Sequence, residues 1–189
     1  MSKKIKFIDG EMIEYEILPL VDQYDPILRK PTTPVNFEEM IGHKISYIAM
    51  SLMESLQKYQ GLGLSANQVG LSDRVCAINM LSEKKIWCLI NPRITEKSKT
   101  LSKYKEGCLS FPGLYIEIGR PSWVDVEFYA VNGTRLNHKF HGIEATCVQH
   151  ELDHLDGVVY TDLVSPIKLD MAKRKIKANL RKIKQATTA

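Results

Sequence analysis

The sequence predicts an α+β domain of antiparallel β-sheets packed around a central helix, with a helix before them near the N-terminus and a basic helix at the C-terminus. Three observations carry this. Apolar residues recur at steps of three and four over 37–59 and again over 143–155; short β-rich runs fill the stretch between about 74 and 141; and Asn132-Gly133 stands between two such runs.

The first helix starts from Asn36-Phe37-Glu38-Glu39, which resembles a capping box: Asn36 can accept from first-turn amides and Glu39 can reach back. Met40, Ile41, Ile45, Ile48, Leu52 and Leu56 then line one face, and Gly61 offers a left-handed stop. The strands are expected at Val75 to Ile78, Ile86 to Ile90, Leu114 to Ile118 and Trp123 to Val131. Both residues of Asn132-Gly133 are expected to take positive φ, with Val131 and Thr134 flanking a tight two-residue hairpin. Ala145, Val148, Leu152 and Leu155 form the stripe of the next helix, which Gly157 ends. Ser165-Pro166 opens the last helix, and no repeat, low-complexity tract or linker interrupts the chain.

At 189 residues, 44% apolar and 25% charged, the chain is long enough to bury a full-sized core in one domain. Lys3, Lys4 and Lys6 break up the apolar residues of the first ten positions, so neither a signal region nor a transit pattern is legible there. Every apolar stretch is interrupted far short of the ~20 residues a membrane span needs, so no membrane partner is expected. Cys76, Cys88, Cys108 and Cys147 contain no Cys-x-x-Cys pair, which points to a reduced compartment, the cytoplasm or its equivalent. The net charge of +4 hides an asymmetry: residues 167–189 hold eight Lys/Arg against Asp170 alone, leaving a mildly acidic body with a basic tail.

His150-Glu151-Leu152-Asp153-His154 places two imidazoles four residues apart, which on a helix puts them ~5.4 Å apart on one face, where they can share a metal. Glu151 lies about 100° round that helix, free of the coordination positions yet close enough to act as general base. Two histidines leave a catalytic site short of a third protein ligand. A metzincin would supply a further histidine where this chain has Tyr160, and a thermolysin-like protease a glutamate downstream, where none exists. Upstream, Glu106-Gly107-Cys108-Leu109-Ser110 offers a thiolate beside a glycine; Cys147 competes by proximity but sits a turn before His150, on the side away from His154. Cys108 is the expected third ligand.

Gly61-Leu62-Gly63-Leu64-Ser65-Ala66-Asn67-Gln68, Glu106-Gly107-Cys108-Leu109-Ser110 and Gln149-His150-Glu151-Leu152-Asp153-His154 together resemble, in order, the three motifs of the peptide deformylases. The resemblance extends from Tyr24-Asp25-Pro26-Ile27-Leu28-Arg29 to Leu163-Val164-Ser165-Pro166-Ile167-Lys168. It implies a catalytic domain over residues 1–166, followed by a basic C-terminal helix over 167–189, and an enzyme that takes the formyl group off N-formylmethionyl peptides. It also implies a metal held by Cys108, His150 and His154 with water completing the set, and Glu151 as acid/base. The Gln68 side-chain amide and the Leu109 backbone N–H would stabilise the oxyanion. The backbone of Leu62, Gly63 and Gly107 would pair with an extended substrate, and Thr146 and Cys147 would line the methionine pocket. Two positions depart from the family pattern: Ser65-Ala66 stands for the usual Ala-Ala, and Tyr115, at the pocket mouth, for a common Arg.

Two imidazoles and a thiolate suit zinc, iron(II), nickel or cobalt alike, and the resemblance implies iron(II) in cells, with zinc, nickel or cobalt able to replace it in purified protein. The tail carries Met171, Ile176, Leu180 and Ile183 within its basic face; the resemblance extends to ribosome binding by such tails, in a chain expected to act as a monomer. The rival readings are a zinc endopeptidase using the same histidine pair and a ribosome- or RNA-binding module with a structural metal.

Overall fold

A computed structural model describes residues 3–8, 11–38 and 42–187. At its centre lies a five-stranded antiparallel sheet of order β3(Gly63–Ser65), β4(Val75–Met80), β5(Lys85–Lys97), β8(Trp123–Tyr129) and β9(Arg135–His141). Alternation along β4 explains why both faces are covered. Cys76, Ile78 and Met80 point into one core with Val148, Leu152 and Leu155 of α2(Gly142–Leu155), while Val75 and Ala77 point into a second with Ile45, Ile48, Leu52 and Leu56 of α1(Gly42–Tyr59). The sheet is thus sandwiched between two helices, and its odd and even residues serve different cores.

Two further ribbons complete the described fold: β1(Lys4–Ile8) with β2(Glu11–Tyr15), and β6(Leu101–Cys108) with β7(Phe111–Pro121). A third core forms on β7, where Phe111, Leu114, Ile116 and Ile118 meet Leu28, Val159 and Tyr160. Leu169, Ala172 and Ile176 of α3(Pro166–Thr187) pack against it. The α+β class and its antiparallel sheets agree with the sequence expectation.

Three local details differ from that expectation. The described part of α1 begins at Gly42; Asn36 closes a local turn by accepting from the Glu38 N–H at 3.0 Å, and Glu39, Met40 and Ile41 lie outside the described residues. Between β8 and β9 only Gly133 has positive φ, at 80°, with Gly133 N–H donating to Ala130 and Ala130 N–H to Thr134, both at 2.9 Å. The connection is a turn closed by a left-handed glycine, longer than two residues, because Asn132 spends its side chain accepting from the Thr134 N–H at 3.0 Å and keeps negative φ. On α3 the docked stripe is Leu169, Ala172 and Ile176, whereas Met171 is exposed; the side chains of Leu180 and Ile183 lie outside the described residues. As expected, Gly157 closes α2, at φ 75° with its N–H donating to His154 at 3.0 Å.

Candidate metal centre

The apolar stripe that docks α2 on the sheet also fixes which way its polar residues face. His150 and His154 lie one turn apart, ring centroids separated by 4.9 Å, and both are buried. Cys108 arrives from the end of β6, where the ladder with β7 slips between Glu106 and Cys108. Such a bulge re-aims side chains. Cys108 Sγ comes to 3.2 Å from His154 Nε2, and one ligand atom each from Cys108, His150 and His154 lies within 4.8 Å of the others. A thiolate and two imidazoles converging in this way are a donor set for one divalent transition metal, so these residues fit the ion that the sequence implies.

The second histidine nitrogen is accounted for by residues to which the sequence reading gave no role. His150 Nδ1 lies 3.0 Å from Glu106 Oε2, which leaves Nε2 for the ion and fixes the ring, the usual outer support of a metal-bound imidazole. Arg120 holds Glu106 in turn, through Nε at 2.6 Å and Nη2 at 2.9 Å, and reaches Asp153 Oδ2 through Nη1 at 2.7 Å. Burial pushes the Glu106 carboxyl up, but His150 and Arg120 together outweigh it and hold the group below its ordinary range. Burial lowers the His150 imidazole, yet hydrogen bonding to Cys108 and Glu106 carries it up to about 10; His154, buried and facing the charge of His150, is held well below its ordinary value. Glu106 and Asp153 stood inside motifs and could have been questioned there. Arg120, next to the last residue of β7, carries no local signal.

Glu151 is buried, and its Oε2 has no hydrogen-bond partner among the described residues. Burial pushes its carboxyl up to about 7, opposed by the charge of His150. A buried carboxylate with an open acceptor, poised near neutrality beside three candidate metal ligands, is equipped to take and return a proton. Gly63 makes room for it: a Cβ there would stand 2.4 Å from Glu151 Oε1 and 2.8 Å from Cys147 Sγ.

Gln68 sits in a short 3-10 turn following β3, at 1% exposure. Its Oε1 accepts from the Ser65 N–H and the Ser65 hydroxyl, both at 2.9 Å, and its Nε2 donates to Cys108 Sγ and Ser110 Oγ, both at 3.3 Å. Asn67 donates to the His154 carbonyl at 2.5 Å, tying this turn to α2.

A cavity of about 480 Å³ opens onto these groups. Its walls include Cys108, His150, Glu151, Gln68 and Leu109, and also Leu62, Gly63, Gly107, Thr146 and Cys147. Tyr115, 66% exposed, stands at its rim; a Cβ on Gly107 would meet the Tyr115 ring at 2.6 Å. Every residue given a catalytic, metal-binding or substrate-binding role from the sequence thus borders one space except His154, which lies fully buried behind it. A larger hollow of about 680 Å³ between α1 and the β1–β2 ribbon includes none of the three candidate metal ligands, so chemistry rather than size marks the site.

Comparison with known proteins bears on the same residues. A sequence model described as Polypeptide deformylase matches residues 17–170, a span that contains all three motifs. The peptide deformylase of Rhizobium meliloti is 38% identical over 162 residues, 84% of this chain and 91% of that protein. That of Brucella suis is 36% identical over 164 residues, 85% of this chain and 92% of the relative. Among solved structures, a peptide deformylase from Legionella pneumophila superposes with a TM-score of 0.78 at 30% identity, covering 88% of this chain and 96% of that one. One from Synechococcus elongatus, in complex with actinonin, gives 0.77 at 32% identity, covering 85% and 86%.

Proposed function

This chain belongs to the polypeptide deformylase family, and from that membership we propose how its own residues carry out the family's reaction. The chain is a metal-dependent hydrolase that removes the N-formyl group from the N-terminal formyl-methionine of nascent polypeptides, consuming water and releasing formate. Cys108, His150 and His154 hold the ion. When bound, it supplies a Lewis acid that polarises the formyl carbonyl and acidifies water.

Glu151 takes the proton of the attacking water and delivers it to the departing amide nitrogen, a double role that its burial and open acceptor support. Gln68 Nε2 and the Leu109 backbone N–H donate to the oxygen on which negative charge develops; losing one such donor elsewhere costs about 3–4 kcal/mol. The substrate lies as an added strand. β3 is an edge strand of the sheet, so the main chain of Leu62 and Gly63 on one side, and of Gly107 on the other, pairs with an extended peptide whatever its side chains. Thr146 and Cys147 line the pocket for the methionine side chain, and Tyr115 sits where the chain leaves it.

The single observation that carries this reading is the meeting of Cys108 with His150 and His154 in one cavity with Glu151. It is tested by formate release from formyl-Met-Ala-Ser, with metal content measured alongside. Wild type should turn over, and Cys108→Ala should lose both activity and bound metal; retained activity in the variant overturns the assignment.

The ion in cells is iron(II), with zinc, nickel or cobalt able to take its place in purified protein. Anaerobic iron-loaded enzyme should therefore be the most active form, and equal activity with zinc would contradict this. Residues 1–166 make up the catalytic body and 167–189 a basic tail that meets the ribosome, in a protein acting as a monomer in the cytoplasm or an equivalent reduced compartment. The charge of that tail supports a polyanionic partner.

A further inference from the structure

An amide side chain presents two ends of nearly equal size and opposite hydrogen-bonding character, so a glutamine serves as a donor only if its surroundings decide which end faces the reaction. At Gln68 that decision is made at the oxygen. Oε1 accepts two bonds from one residue, the backbone N–H and the side-chain hydroxyl of Ser65, each at 2.9 Å. The contacts at the nitrogen are longer, 3.3 Å to Cys108 Sγ and 3.3 Å to Ser110 Oγ, and do less to hold the group. Ser65 is fully buried and Gln68 nearly so.

The two Ser65 donors do different things. The N–H cannot accept, so it excludes the flipped amide, in which NH₂ would face N–H. The hydroxyl reaches the same oxygen from a second direction and stops the amide plane from turning about its last torsion. It also draws electron density toward Oε1, which strengthens the N–H groups at the other end, since hydrogen bonds in series reinforce one another. An alanine at this position would keep the first effect and lose the other two.

We propose that Ser65 is a positioning residue for hydrolysis: its hydroxyl pins and polarises the Gln68 amide so that Nε2 is presented to the developing oxyanion. The inference rests on the deformylase reading above. Ser65 touches neither the substrate nor the ion; its side chain reaches the Glu151 carboxyl as well as the Gln68 amide, and only a loss that vanishes when Gln68 is removed belongs to the amide.

The test is a double-mutant cycle of Ser65→Ala and Gln68→Leu in metal-loaded enzyme, with kcat and KM for formyl-Met-Ala-Ser, metal content, and the Gln68 side-chain amide signals recorded by NMR. Ser65→Ala is expected to lower kcat about fivefold, about 1 kcal/mol at 1.36 kcal/mol per tenfold, with KM and metal content unchanged. In the Gln68→Leu background the same substitution should have no further effect. The Gln68 amide protons should shift upfield and exchange faster in Ser65→Ala. An unchanged kcat, an equal loss in both backgrounds, or unmoved amide signals would each overturn the proposal. Absence of formate release by wild type would instead sink the deformylase reading, and the amide signals would still decide whether Ser65 holds Gln68.

Discussion

Between Gly63 and Glu151 there is no room for one methyl group. A Cβ added at Gly63 would lie 2.4 Å from Glu151 Oε1 and 2.7 Å from Cγ, and the second neighbour, Cys147, is itself buried, so the carboxylate rather than the backbone would have to move. Misplacing a reacting group by about 1 Å can cost about 10²-fold in rate. Gly63→Ala is therefore expected to lower kcat by about that factor while metal content, read by atomic absorption, stays at one per chain. Glu151→Gln should likewise keep the ion and lose about 10²- to 10⁴-fold in turnover, the usual worth of a general acid/base. Arg120→Met leaves the buried Glu106 carboxylate without its guanidinium partner and strips half-buried Asp153 of the same cation; breaking a buried pair costs about 3–5 kcal/mol, which urea unfolding would detect. At this scale the sequence spoke clearly wherever chemistry needs a rare residue type at a fixed spacing, as at His150 and His154. It was silent about Arg120, because an arginine inside a strand looks the same whether it meets water or two carboxylates.

Among elements, legibility followed burial. β4 buries both faces and α2 most of its length, and both were legible, the strand as a short β-rich run and the helix as an apolar stripe. β1, Lys4–Ile8, and β6, Leu101–Cys108, form two-stranded ribbons with largely exposed faces, so lysines alternate with apolar residues and no stripe stands out. The bulge at Glu106 and Cys108 was equally hidden, since it depends on the register with β7. α3 divides its faces between two tasks: Leu169, Ala172 and Ile176 pack on the third core, while Lys173, Arg174 and Lys177 are exposed. Deleting the helix would confound the two. Reversing charge at Lys173, Arg174 and Lys177 to Glu should reduce cosedimentation with ribosomes at least about tenfold and flatten its salt dependence, with kcat/KM on a short formyl peptide within about twofold of wild type. Undiminished cosedimentation would remove the helix from the ribosome contact.

For the whole molecule, the site stands where three cores meet. Cys108 leans on the third core, α2 with its two histidines belongs to the first, and the turn bearing Gln68 is continuous with Ala66 and Val69 of the second. The sequence could name these residues but not their separation, because Cys108 and His154 are 46 positions apart in the chain, and only the packing of β6 and β7 against α2 brings them to 3.2 Å. An ion bridging them should then steady the entire fold. At a free concentration of about 1,000 times its Kd, a ligand adds about 4 kcal/mol. For a chain of this size, stripping it by chelation should lower Tm by about 8–16 °C in calorimetry.

The same junction makes the centre an internal strain gauge. A volume change buried in any one of these three cores should displace a single wall of the cradle relative to the other two, so a raised dissociation constant for the ion should report distant repacking before any loss of folded protein.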